Sequence, residues 1–160
     1  MKVNIYCMRH GEAVFQAASD AERPLSPTGQ EEAQRMGRWL AKEQEEWSLV
    51  LVSPFLRAQQ TMNAVLSHLP IAPDAVQTVD GLVPSGNAGD IHDYIDGEIA
   101  VSKIKNVLVI CHMPIVSYLT ASLTTEHNCP LFPTAGIAKI VYDVQKSSGK
   151  LIQLLSPLDV

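Results

Sequence analysis

Residues 3–13 read VNIYCMRHGEA. Val3–Met8 forms a short apolar run with β-branched and aromatic residues, the pattern of a buried strand. The run then stops on Arg9-His10-Gly11, a cation, an imidazole and a glycine. In an α/β protein the end of a central strand opens into the crevice where ligands bind. A cation and an imidazole at that edge point to an anion, and a phosphate is the anion they fit best.

The rest of the chain supports an α/β frame. Leu49–Val52 and Val107–Cys111 repeat the short, nearly unbroken apolar pattern of strands covered on both faces of a parallel sheet. A weaker strand is expected at Val76–Val79. Ile137–Val144 and Lys150–Leu155, separated by Ser147-Ser148-Gly149, read as a closing hairpin. Between the strands lie helical patterns. Ala33, Met36, Gly37 and Leu40 recur at helical spacing behind Ser26 as N-cap and Pro27 at the first helical position. Ser53-Pro54 repeats that start signal for a second helix to about His68, burying Ala58, Met62, Val65 and Leu69. A short helix near Asp90–Gly97 and another begun by Pro114 complete the pattern. Alternating strands and helices predict a three-layer α/β/α fold with a mainly parallel sheet. No linker, repeat or low-complexity tract divides residues 1–160, so one domain is expected.

Bulk properties narrow the function. The 160 residues are 46% hydrophobic, with a formal charge of −5; the pI is about 5.4 and the mean hydropathy +0.06. A broad nucleic-acid surface is unlike this composition, so any useful positive charge must be local. No apolar run approaches the roughly 20 residues of a membrane helix, and none reads as an export signal. Cys7, Cys111 and Cys129 are an odd number without metal-ligand spacing. They read as free thiols of a reducing cytoplasm. A monomer is the expected state.

Three strand ends carry the chemistry. Arg9-His10-Gly11 follows the first, Ser53-Pro54-Phe55-Leu56-Arg57 the second, and His112 the fourth. In a parallel sheet these ends share one side, so Arg9, His10, Arg57 and His112 can converge. Two guanidinium forks match phosphate oxygens. A neutral imidazole can be a nucleophile, and a second can donate to the transferring group. A metal site from His10, His112 and a carboxylate is disfavoured, because the arginines would repel a cation. His68, His92 and His127 lie outside the pattern and read as surface residues. Trp39 and Trp47 read as packing, and Glu12 as structural. No GxSxG elbow, P-loop or GxGxxG is present.

MRHGEA (8–13), LSPTGQEEAQRMG (25–37), VSPFLRAQQT (52–61) and VLVICHMP (107–114) together resemble the histidine phosphatase superfamily, with its phosphoglycerate mutase-like fold. The resemblance runs from Val3 to about Leu123. The short length and the stretches SPFLRAQQT, LVPSGNAGDI and CHMPIVSYL are most similar to the SixA-type phosphohistidine phosphatases. The resemblance implies that His10 takes the phosphoryl group and that Arg9, Arg57 and His112 hold its oxygens. It implies a binding role for Gln16, six residues after His10. Gly11 is expected to let backbone pass close to the ligand. No metal or cofactor is implied.

One departure bears on the substrate. Many ester-cleaving relatives place a Glu acid in the loop after the third strand, where this chain has Gly81 beside Asp80. An alkoxide needs a proton donor to leave; an imidazole, with a conjugate acid pKa of about 6.5, does not. The expected substrate is therefore phosphohistidine on a phosphotransfer domain or phosphocarrier protein. Ala13–Leu25 and Pro70–Asp90 are too short for a substantial lid, which also favours a side chain presented by another protein. A small-molecule phosphatase or mutase of the same superfamily, and a non-catalytic phosphate-binding adaptor, are the alternatives.

Overall fold

The computed structural model describes residues 1–160. β1 (Lys2–Arg9), β2 (Leu49–Val52), β3 (Val76–Thr78), β4 (Asn106–Cys111), β5 (Ile137–Asp143) and β6 (Ser148–Leu155) form one six-stranded sheet in the order β3-β2-β4-β1-β5-β6. β3, β2, β4 and β1 pair in parallel, and the β5–β6 hairpin adds to β1 antiparallel. The expected three-layer, mainly parallel architecture is present.

Side-chain alternation along the strands divides the core. Ile5, Cys7, Leu51, Val107 and Val109 face one side, with Ile91, Ile95 and Ile99 of α3 (Ala88–Val101) and Ile115, Val116 and Leu119 of α4 (Ile115–Leu123). Tyr6, Met8, Val50, Val52, Leu108 and Ile110 face the other, with Met36 and Leu40 of α1 (Pro27–Glu43) and Ala58, Met62 and Val65 of α2 (Leu56–Leu66). Both faces are covered, which is why these strands show no polar alternation. Burying each such side chain contributes about 1.5–3 kcal/mol. Trp47 and the half-buried Trp39 pack on the ring of Tyr6.

This layering positions a crevice. β1 and β2 run into helices on one face, whereas β4, which lies between them, runs into α4 on the other. Connections leaving neighbouring parallel strands in opposite directions open a cleft at their carboxyl ends. The register pairs Arg9 with Cys111 and Val52 with Ile110. His10, Ser53 and His112 therefore leave the sheet at nearly one level.

Two helices differ from expectation. α1 starts as predicted, with the Ser26 side chain accepting the Gly29 amide. α2 begins only at Leu56, and Phe55 precedes it without a side-chain cap. Ser53 is not its N-cap, because its hydroxyl is engaged across the cleft. α3 extends to Val101, well beyond Gly97, because Ile95 and Ile99 continue its apolar stripe; Asn87 caps it through the Asp90 amide.

Candidate active site

The backbone of His10 prolongs the sheet by one residue. Its amide donates to Cys111 O at 3.0 Å, and its carbonyl accepts from the Ala135 amide at 2.9 Å. Gly11 then turns under α1, its amide donating to Thr61 Oγ1 at 3.1 Å, while Thr61 donates to the carbonyl of Arg57 at 2.7 Å. One threonine thus ties the His10 loop to the turn of α2 that carries Arg57. Gln60 accepts the Leu25 amide at 2.7 Å, and Gln59 donates to Ser53 O at 2.9 Å. The RAQQT motif is a set of such ties.

Gly11 also serves packing. A Cβ there would stand 2.6 Å from Gly29 O in α1, and a Cβ on Gly29 would stand 2.0 Å from Glu12 O. The two glycines let α1 press against the His10 loop. Glu12 is exposed; its amide donates to Glu32 Oε1 at 2.8 Å, and Glu32 Oε2 accepts from Thr134 at 2.8 Å.

The tautomer of His10 follows from its neighbours. Nδ1 lies 2.7 Å from Gly11 O, a pure acceptor, so Nδ1 carries the proton. Arg57 Nε donates to Nε2 at 3.2 Å, so Nε2 carries the lone pair. The residue is only 7% exposed. Burial, with Arg57, Arg9 and Arg23 nearby, lowers its pKa to about 4, despite the opposing Gly11 bond. His10 is thus a neutral imidazole near pH 7, with its Nε2 electron pair accepting from Arg57.

His112 is oriented as a donor. Its ring centroid lies 5.1 Å from that of His10. Nε2 is 2.7 Å from Ser53 Oγ, which also accepts the Phe55 amide at 3.1 Å. No other acceptor faces the Ser53 hydroxyl, so its proton goes to His112 Nε2, and the ring proton sits on Nδ1. His112 Nδ1 is buried without a partner, as is Arg9 Nε. Burial, helped by His10 and Arg57, lowers the His112 pKa to about 3. Arg9 is held by Nη1 donating to Phe132 O at 2.8 Å. His112 Nδ1 and Arg9 Nε are thus two buried polar nitrogens left without a hydrogen-bond partner.

The structure therefore brings Arg9, His10, Arg57 and His112 together. Gln16 is exposed and makes no hydrogen bond within the chain. Asp80 and Gly81 are exposed in the loop after β3. His127 is exposed, but His68 and His92 are half-buried, contrary to expectation. His68 bonds Gln34 at 2.6 Å; His92 joins Ser122 and Tyr142, both at 2.8 Å, in a polar clasp between α3, α4 and the hairpin. Sequence reasoning read Ser53 only as a helix-start residue and passed over two further residues at the site, Asp20 and Arg23. Asp20 accepts from Arg57 through its carbonyl at 2.6 Å and its carboxylate at 3.2 Å, and from Arg23 at 3.0 Å. Both charged residues lie in a polar loop with no periodicity to mark them. No cluster of three or more His, Cys, Asp or Glu side chains is placed to hold a metal.

Fold and site together describe an α/β protein with two buried histidines and two arginines gathered in a switch-point crevice. A family model of the histidine phosphatase superfamily (branch 1) matches residues 5–83. The chain is 36% identical over 158 residues to the phosphohistidine phosphatase SixA of Escherichia coli K12, across 99% of this chain and 96% of that protein. It is 32% identical over 151 residues to a SixA homolog of Haemophilus influenzae, across 91% and 92% of the two chains. A solved structure of the protein histidine phosphatase SixA complexed with tungstate is similar at a TM-score of 0.89 and 38% identity, covering 99% of this chain and 98% of that one. The chain belongs to the histidine phosphatase superfamily.

Proposed function

We propose that this protein removes phosphoryl groups from phosphohistidine on phosphotransfer or phosphocarrier proteins, through a phosphohistidine intermediate on His10. The observation that carries the reading is the His10 ring, with Nδ1–H fixed on Gly11 O and the Nε2 lone pair facing Arg57. His10 Nε2 attacks phosphorus, the substrate P–N bond breaks, and the substrate imidazole leaves with the electron pair. Arg9, Arg57 and the Nδ1–H of His112 hold the phosphoryl oxygens as charge moves. Phospho-His10 keeps its Nδ1 proton and is therefore an N-phosphoimidazolium. When water attacks phosphorus, neutral imidazole departs, phosphate is released, and the water proton goes to solvent.

The substrate class rests on the leaving group. Asp80 and Gly81 supply no acid held against the site, and general acid help is worth about 10²–10⁴-fold. An ester would lose that help; a protonated phosphoimidazole does not need it. The relatives named for phosphohistidine phosphatase activity favour the same choice. Phe15 and Leu131 are 88% and 83% exposed, and Leu131 lies next to the Phe132 carbonyl that holds Arg9. Exposed apolar side chains beside the pocket suit a macromolecular substrate. Gln16 is proposed to reach the phosphoryl group only in the complex. We further propose that residues 1–160 act as one catalytic domain, as a monomer and in the cytoplasm, where Cys7, Cys111 and Cys129 stay free. No helix is long and apolar enough to cross a membrane.

The test compares phosphate release from a phosphorylated histidine-containing phosphotransfer domain with that from an alkyl phosphate monoester, using His10→Ala as control. Fast P–N turnover, slow ester turnover and a dead variant are expected. Strong ester turnover that Asp80→Asn abolishes would overturn the substrate assignment. Phosphate binding without turnover of either substrate would favour an adaptor.

A further inference from the structure

Arg57 has two claims on its donors. The proposed function gives its terminal nitrogens to phosphoryl oxygens, yet both are held by Asp20. Nη1 donates to the Asp20 carbonyl at 2.6 Å and Nη2 to carboxylate Oδ2 at 3.2 Å. Arg57 is 3% exposed, so its head is committed inside the protein. The carbonyl and carboxylate of Asp20 present oxygens to the guanidinium fork as an oxyanion would.

Asp20 can be moved. It opens a short helical turn, Asp20–Glu22, at the tip of the 13–25 loop, and its side chain is 56% exposed. The base of that loop is closed by the Ala13–Leu25 bridge and by the Val14 amide on Pro24 O at 2.9 Å. The loop can therefore shift at its tip without opening the core. Arg23 anchors its own side chain on Val14 O at 2.9 Å and holds Asp20 Oδ1 at 3.0 Å. It remains as a partner for the carboxylate once Arg57 is taken.

We propose that Asp20 is a specificity-determining residue, a resident anion on Arg57 that an incoming phosphoryl group must displace. This rests on the reading of the pocket as a phosphoryl site. A phosphoryl group carried on a docked protein brings remote binding energy that can be spent on the displacement. Free phosphate brings none, so it binds weakly, and Asp20 returns to Arg57 as product leaves.

The experiment is calorimetric titration of the full chain with inorganic phosphate, in the wild type, Asp20→Asn, Asp20→Ala and Arg57→Ala, each checked by thermal melting. Removing a charged competitor for a buried guanidinium should tighten phosphate binding roughly tenfold in both Asp20 variants. The KM for p-nitrophenyl phosphate should fall more than the KM for a phosphorylated protein. Unchanged affinity would overturn the inference by making the pair a surface contact. Weaker affinity would overturn it by making Asp20 a support for Arg57. Arg57→Ala separates the two levels: if it leaves phosphate binding intact, the phosphoryl-site reading itself fails, and the inference with it.

Discussion

Ser53→Ala removes one hydroxyl from the site and should disarm His112 without touching substrate. That hydroxyl lies 2.7 Å from His112 Nε2 and accepts the Phe55 amide at 3.1 Å. Its loss leaves a buried ring nitrogen unpaired, at a cost of about 1–3 kcal/mol. Part of that cost is stability, read from thermal melts. The catalytic part is the fraction of His112 that no longer presents Nδ1–H. A tenfold fall in kcat/KM, about 1.4 kcal/mol, is expected. His112→Ala removes the donor outright and should cost about 10²–10³-fold, as for other oxyanion donors. If Ser53 acts only through His112, the double variant is no slower than His112→Ala, giving a coupling of about 1.4 kcal/mol. The assay is kcat/KM on a phosphorylated phosphotransfer domain for all four proteins. Additive losses, with the double variant ten times slower than His112→Ala, would refute the tautomer argument.

Other consequences follow from the same geometry. Between pH 8 and 5 the ring signals of His10 and His112 should stay unshifted in an NMR titration, because their pKa values lie at about 4 and about 3; a midpoint near the unperturbed 6.5 would contradict this. Both values are depressed, so the unfolded chain binds more protons. The stability they contribute is full above about pH 6.5 and is lost as pH falls through the folded values; the urea midpoint should drop between pH 7 and 5. Gly29→Ala would put a Cβ 2.0 Å from Glu12 O; it should cost about 1–3 kcal/mol in melts and lower activity by displacing the His10 loop, and unchanged activity would argue against that loop's precision. Gly81 meets only Ile91 Cδ1, at 3.4 Å. Gly81→Glu should therefore fold and raise turnover of an alkyl phosphate monoester by up to about 10²-fold; no gain would weaken the missing-acid argument.

What was legible in the sequence was whatever repeats with a period or stands at a strand end. Apolar runs marked the parallel strands because both sheet faces are covered, and Ser26-Pro27 marked α1 because its cap is local. Arg9, His10, Arg57 and His112 stood out because each ends an apolar run or follows one closely. Ser53 was misread because its partner, His112, is distant in sequence, and a local cap signal competed for the same hydroxyl. The packing of Gly11 on Gly29 left no local signal, because only the folded chain brings the two together. Asp20 and Arg23 left no trace, since a polar loop has no period and their meeting with Arg57 depends on how that loop closes.

The central claim is that the phosphoryl group passes through His10 Nε2, and rapid-quench phosphoryl transfer tests it most directly. A ³²P-labelled phosphohistidine domain would be mixed with excess protein and quenched under basic conditions, which preserve N–P bonds. The account predicts transient label on the peptide containing His10, acid-labile and absent from His10→Ala, decaying as free phosphate appears. Phosphate release by His10→Ala at the wild-type rate, with no label on the enzyme, would contradict it.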